Sequence, residues 1–325
     1  MVMKKDMKRI LVTGANGQIG SELTVKLREK YGGENVIASD IKAEPNRTLK
    51  EGGEYLILNV ACKDTLEEVI KQHDIDTVFH LAAILSAVGE KDPAKAWNIN
   101  INGLINVMNT AVEQKLSRVF VPSSIAVWGE DVPSVAPQDV ALHPATMYGV
   151  TKVTGEVLAD YYVRKYGLDV RGLRYPGIIS SETLPGGGTT DYAVAIYYAA
   201  VKDGHYECFV NEDTRLPMMY MPDCIKATID LMEAEYAGLK RHSDYNVGSM
   251  SFTAKELANS IRKYIPDFEV EYAPDYRQDI ADSWPNSVDD SAARKDWGWS
   301  PDYDLDSMTR DMIDKLNDKK KKNLI

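Results

Sequence analysis

The 325-residue sequence predicts an α/β fold: a doubly wound parallel sheet with a smaller, interleaved α/β lobe. Two observations carry this. Short β-branched runs alternate with helical patterns through the first half, the reading expected of buried parallel strands joined by crossover helices. The first such run, Arg9-Ile-Leu-Val-Thr13, breaks at Gly14-Ala-Asn-Gly17-Gln-Ile-Gly20, and a helical pattern with Leu23 and Leu27 on one face follows. Strand, glycine turn and helix in that order form a Rossmann-type nucleotide site. The sheet domain is expected over residues 1–178 with a return at roughly 223–249, and the substrate lobe over 179–222 and 250–325.

Within the glycine turn, Gly14 permits the tight bend, Gly17 admits a pyrophosphate close to the backbone, and Gly20 packs the helix on the sheet. Gln18 and Ile19 lie at the helix start, where free N–H groups and the positive dipole end face the phosphates. The second strand, Asn35 to Asp40, ends in a carboxylate placed to bind an adenine ribose hydroxyl, which favours NAD over NADP. A third strand from Tyr55 leads to Asn59 and Val60, candidates to flank the adenine. A helix from Thr65 to Lys71 precedes a fourth strand, Asp76 to His80, with His80 read as a core residue. Leu81, Ala82 and Ala83 follow, small enough to let a nicotinamide ribose lie close.

Ser86 to Pro93 reads as a polar, flexible loop over the strand ends, where ligands bind in such sheets, and makes Ser86 a substrate candidate. A long helix carrying Asn100 leads into the fifth strand, Arg118 to Val121, and Ser124 stands just beyond its tip. Tyr148 and Lys152 lie four residues apart, on one face of a predicted helix. A phenol is a poor base at neutral pH, and a neighbouring ammonium is expected to lower its pKa. Downstream, Gly186 to Gly188 permit unusual backbone angles, and Thr189, Thr190 and Asp191 open an apolar helix from Tyr192 to Val201. Gly188, Thr189 and Thr190 thus offer N–H groups and hydroxyls to a carboxylate. Asp223 is expected to cap a helix through Met232, and Trp284 to wall the pocket.

Composition excludes several classes. A net charge of −11 argues against non-specific nucleic-acid binding. Cys62, Cys208 and Cys224 show no zinc spacing, so no metal site and a reduced, cytoplasmic compartment are expected. The longest apolar run, Tyr192 to Val201, is about half a membrane span, and Met1 to Arg9 lack the apolar stretch of a secretory signal. Lys319 to Lys322 read as a frayed basic tail.

Together Gly14, Gly17, Gly20, Asp40, His80-Leu-Ala-Ala83, Asn100, Ser124, Tyr148 and Lys152 resemble the extended short-chain dehydrogenase/reductase superfamily across nearly the whole chain. The resemblance implies catalytic roles for Ser124, Tyr148 and Lys152, and a supporting and cofactor-side role for Asn100. Leu173-Arg-Tyr-Pro-Gly-Ile-Ile-Ser180 lacks the Asn and Tyr-Gly-Pro usual in sugar-nucleotide epimerases, and its Tyr175 joins the cofactor set. Pro185-Gly-Gly-Gly-Thr-Thr-Asp191, Asp213 to Asp223, Ser123 to Gly129 and Asp289 to Trp299 are similar to the short-chain-type L-threonine 3-dehydrogenases, an epimerase-like branch. That implies metal-independent oxidation of L-threonine to 2-amino-3-ketobutyrate with NAD, by a homodimer. An NAD-dependent sugar-nucleotide epimerase and a non-catalytic NAD-binding regulator are the alternatives.

Overall fold

The computed structural model describes residues 7–184 and 186–325; the N-terminal residues 1–6 and Pro185 lie outside the described set. Five strands, β1 (Ile10–Thr13), β2 (Val36–Asp40), β3 (Tyr55–Ile57), β4 (Thr77–His80) and β5 (Arg118–Phe120), form a parallel sheet with Val170–Arg171. Their order is β3-β2-β1-β4-β5 followed by Val170–Arg171. Leu11 pairs with Ile37 on one side and Val78 on the other, and all of β1 and β4 is buried. That burial explains the unbroken apolar runs.

The order reverses direction between β1 and β4, so their C-terminal ends open a crevice. Gly14 takes φ +70° there, and a side chain on it would come within 2.5 Å of the Ala82 amide nitrogen. Helix α1 (Gln18–Tyr31) starts at Gly17 with no side-chain cap and no acid in its first turn. Its first N–H groups therefore stay free for a ligand.

A second core holds the lobe. Strands Gly177–Ile179, Arg215–Tyr220 and Met250–Thr253 form a mixed sheet, against which the helices Tyr192–Lys202, Ala254–Arg262 and Leu305–Lys321 bury Ile196, Tyr197, Leu257 and Met312. Between these pieces the chain returns to the first unit. Tyr245–Asn246 pairs with Leu173–Tyr175, which pairs with Ser123–Ser124. Among the described residues no helix is long and apolar enough to cross a membrane.

Four local expectations are corrected. The segment after Leu85 is not an open loop; Ser86–Gly89 winds into a helical turn that buries Ser86. The helix bearing Asn100 is interrupted by a π-helical stretch, Asn98–Asn102. Asp223 does not cap its helix, because the helix starts earlier, spanning Met221–Glu233 with Tyr220 at its N-cap, so Asp223 lies inside the first turn. Its buried carboxylate instead accepts from the backbone N–H of Asp302 (2.8 Å) and Tyr303 (3.2 Å) and from Ser249 (3.2 Å), anchoring the C-terminal segment. The basic tail is not frayed: the last helix runs to Lys321, with Lys319 paired to Glu182 at 2.8 Å and Lys320 donating to the Val201 carbonyl at 2.6 Å.

Helix α1 is joined to the lobe along a polar seam. Ser180 donates to Glu22, and the Ser21 and Thr183 hydroxyls lie 3.2 Å apart. Burial, opposed by the Ser180 bond and reinforced by Glu182, raises the Glu22 carboxyl from 4.5 to about 7, although Lys315 and Lys319 approach it. Between those values the native state keeps a proton that the unfolded chain releases. Stability is therefore fully present below about pH 4.5 and is lost as pH rises through about 7, by about 3 kcal/mol. Denaturant melts at pH 5 and pH 8 should show this fall in wild type and a smaller one in Glu22→Gln.

Candidate active site

Ser124 ends the short strand Ser123–Ser124; its hydroxyl oxygen accepts from the Ala126 N–H at 3.2 Å, and its proximity to the Tyr148 phenol favours the ionised form. The tyrosine helix, Met147–Tyr166, begins at Thr146, whose hydroxyl accepts from the Gly149 N–H at 3.1 Å. Gly149 is indispensable here, since a Cβ would collide with the Ala126 carbonyl oxygen and Pro144. Its absence brings the helix start against the Ser124 turn. One turn on, the Lys152 ammonium donates to the Pro122 carbonyl at 2.7 Å and lies 5.3 Å from the Tyr148 ring centre.

The electrostatics differ from expectation. Burial pushes the Tyr148 phenol up to about 12, with Ser124 opposing, and pushes Lys152 down to about 8, with Glu156 opposing. Lys152 does not depress Tyr148 in the protein alone, because both sit at the floor of the cleft, where desolvation outweighs their mutual effect. His80 is a core residue as expected. Its Nδ1 lies 2.9 Å from the Thr13 hydroxyl, and burial, followed by the Lys152 charge, lowers its pKa to about 3.

A cleft of about 230 Å³ gathers most of the predicted residues. Gly14, Gly17, Gln18, Ile19 and Gly20 form one wall. Leu81, Ala83, Ser86, Ser124, Tyr148 and Lys152 form the floor. Tyr175 contributes its ring, while its hydroxyl turns away to Thr228. Gly188, Thr189 and Thr190 close the far side, with Trp284. Among the described residues the buried Thr189 hydroxyl has no hydrogen-bond partner, an orphan polar group in the wall of the cleft that Tyr148 also lines.

Other predicted residues lie outside this cleft. Ala82 and Asn100 border a smaller cavity that adjoins the cleft at Lys152. Asn100 is fully engaged there, accepting from the Ile84 N–H at 2.8 Å and donating to the Ile84 carbonyl (3.0 Å) and to Thr151 (3.1 Å) on the tyrosine helix. Asp40, at the end of β2, accepts from the Asn16 and Lys42 N–H groups at 3.0 and 3.1 Å. Asn59 is exposed, and Val60 is buried against Gly103.

Sequence reasoning missed two features. Asp191 was read only as opening a helix, yet its carboxylate lines the cleft and accepts from the Gly187 and Gly188 N–H groups at 2.8 and 2.6 Å. The Glu156–Arg174 pair under Lys152 was not seen at all. The i,i+4 spacing of Lys152 and Glu156 was the available signal.

The groups present fit a dinucleotide. The space a Gly17 side chain would fill meets only the Gly14 carbonyl, at 3.2 Å, and otherwise opens on the cleft beside an uncapped helix start. Residues 10–248 match the NAD dependent epimerase/dehydratase family. An uncharacterized epimerase/dehydratase of Staphylococcus saprophyticus is 47% identical over 97% of this chain and 99% of its own. An L-threonine dehydrogenase of Clostridium difficile superposes with a TM-score of 0.94 at 52% identity, covering 97% of this chain and 99% of that one. A monomeric L-threonine 3-dehydrogenase from a metagenome superposes with a TM-score of 0.92 at 52% identity, covering 95% and 99%. With the glycine turn, the serine and the tyrosine–lysine pair assembled on one sheet edge, the chain belongs to the NAD dependent epimerase/dehydratase family.

Proposed function

We propose that the protein oxidises the β-hydroxyl of L-threonine to give 2-amino-3-ketobutyrate and NADH. The observation that carries this is the orphan Thr189 hydroxyl, set in a glycine-flanked turn opposite Tyr148. A compact zwitterion suits such a wall: the Thr189 hydroxyl offers its carboxylate a donor, and Asp191, which holds the Gly187 and Gly188 N–H groups, adds a negative charge to the same wall for its ammonium. The similarity to L-threonine dehydrogenases supports the same reading.

NAD, when bound, would supply the hydride acceptor. Gly14, Gly17 and Gly20 would hold its pyrophosphate, and Asp40 would favour its unphosphorylated ribose. Ser124 holds the substrate oxygen, Tyr148 Oη removes its proton, and the β-hydrogen leaves as hydride. Lys152 keeps two N–H donors beyond the one given to Pro122, enough to reach a ribose hydroxyl and to stabilise the phenolate as it forms. The exposed apolar residues Val150, Val157 and Tyr161 on the outer face of the tyrosine helix suit a homodimer, which sedimentation would test.

Incubation with NAD and L-threonine should release NADH, whereas a sugar-nucleotide epimerase recycles its cofactor and releases none. Tyr148→Phe should lower kcat by about 10²–10⁴-fold with NAD affinity nearly unchanged. Absence of NADH from wild type with threonine, or an active Tyr148→Phe variant, rejects the reading. Thr189→Val should raise the threonine KM by about tenfold while leaving the KM for NAD in place, measured by initial rates.

A further inference from the structure

Adjoining the cleft at Lys152, and sharing Ala83, Pro122 and Ser123 with it, lies a small cavity of about 20 Å³. It has room for one water molecule. Amid a largely apolar lining, Lys152 and Glu156 both border it, with His80, Asn100, Ser123 and Thr151. Glu156 stands one turn beyond Lys152 and is itself buried. Arg174 holds its carboxylate in a two-point pair, Nε to Oε1 at 2.8 Å and Nη2 to Oε2 at 2.7 Å, and Ser123 donates to Oε1 as well. Arg174 in turn donates to the Gln138 carbonyl (3.1 Å) and to Asn246 (3.2 Å), so the pair is rigidly framed.

We propose that Glu156 is a positioning residue for Lys152, acting across this cavity to hold the side chain as an ammonium aimed at the cleft. The proposal rests on the reading of Tyr148 and Lys152 as the reacting pair. A buried lysine loses its proton easily, and a neutral amine cannot stabilise a phenolate. The titratable or charged groups around the ammonium are few. His80, from the end of β4, is neutral; Tyr148 is neutral until it reacts; Arg174, from strand Leu173–Tyr175, repels the ammonium but stands behind Glu156. Glu156 is the one group among these that favours the charged lysine, in line with its opposing the fall in the Lys152 pKa. Desolvating a carboxylate and a guanidinium for packing alone is a poor bargain. A second charge to stabilise on the same helix gives the pair a use.

The first readout, a titration of Lys152 itself, needs neither threonine nor NAD, so its failure is separable from failure of the proposed reaction. Protein labelled with ¹³C at the lysine ε-carbon is titrated by NMR, the Lys152 resonance being identified by its loss in Lys152→Arg. In Glu156→Gln, which keeps shape but loses charge, the Lys152 midpoint should fall by about one pH unit or more. In Glu156→Asp, which keeps the charge but draws it back, it should fall by less. The alkaline limb of kcat/KM should move down in the same order. A Glu156→Gln midpoint within about 0.3 units of wild type overturns the proposal. So does a kcat/KM lowered equally at every pH with its limb unmoved, the mark of a purely structural bolt. Should Glu156→Gln not fold, an unshifted midpoint in Glu156→Asp overturns it equally.

Discussion

The reacting geometry depends on one close approach, that of the tyrosine helix to the turn after Ser124. Gly149 has no side chain, and the Ala126 carbonyl oxygen and Pro144 occupy the place where one would stand. The helix can therefore start against the Ser124 turn, capped by Thr146, with Tyr148 beside Ser124 and Lys152 under Pro122. A comparable contact at the sheet's switch point, Gly14 against Ala82, brings the cofactor wall to the same crevice. Both contacts are backbone against backbone or nearly so. Steric exclusion, more than any hydrogen bond, fixes the distances on which hydride transfer relies.

That closeness also sets the electrostatic problem. Packing Tyr148 and Lys152 at the floor of the cleft removes both from water, and desolvation drives each toward its neutral form. The spacing of the two residues suggested an ammonium lowering a phenol's pKa, but spacing carries no information about dielectric. Spacing on a helix therefore needs other charges beside it before the two can differ in charge, and the Glu156 carboxylate, one turn beyond Lys152, is one that opposes the fall in the lysine's pKa.

What was legible in the sequence was local. The turn Gly14 to Gly20, Asp40 at the end of β2, the tyrosine–lysine spacing and the Thr189 helix start all involve residues within a few positions, where periodicity and turn chemistry are decisive. What was not legible was partnership at long range. Asp223 looked like a cap because an acid after proline commonly is one, yet its hydrogen bonds run to residues 302 and 303. Lys319 and Lys320 looked like a frayed tail because nothing nearby pairs with them, and their partners are Glu182 and the Val201 carbonyl. Glu156 and Arg174 lie 18 residues apart on a helix and a strand, with no pattern linking them until the fold does.

The lobe adds a further dependence. The segment that leads to the Thr189 turn leaves strand Gly177–Ile179 and runs beside α1 before reaching the cleft. Gln18 donates to the Ile178 carbonyl at 3.5 Å, and Ser21 and Glu22 meet Thr183 and Ser180. These contacts sit on the first turns of the helix that opens, uncapped, beside the glycine turn. The Thr189 wall is thus hung on α1, which serves as a common reference for it and for the glycine turn. A shift of α1 by a few tenths of an ångström would move Thr189 relative to Tyr148, which is anchored separately through Gly149. The shape of the cleft is accordingly set by the register between two elements, α1 and the tyrosine helix, as well as by the side chains that line it.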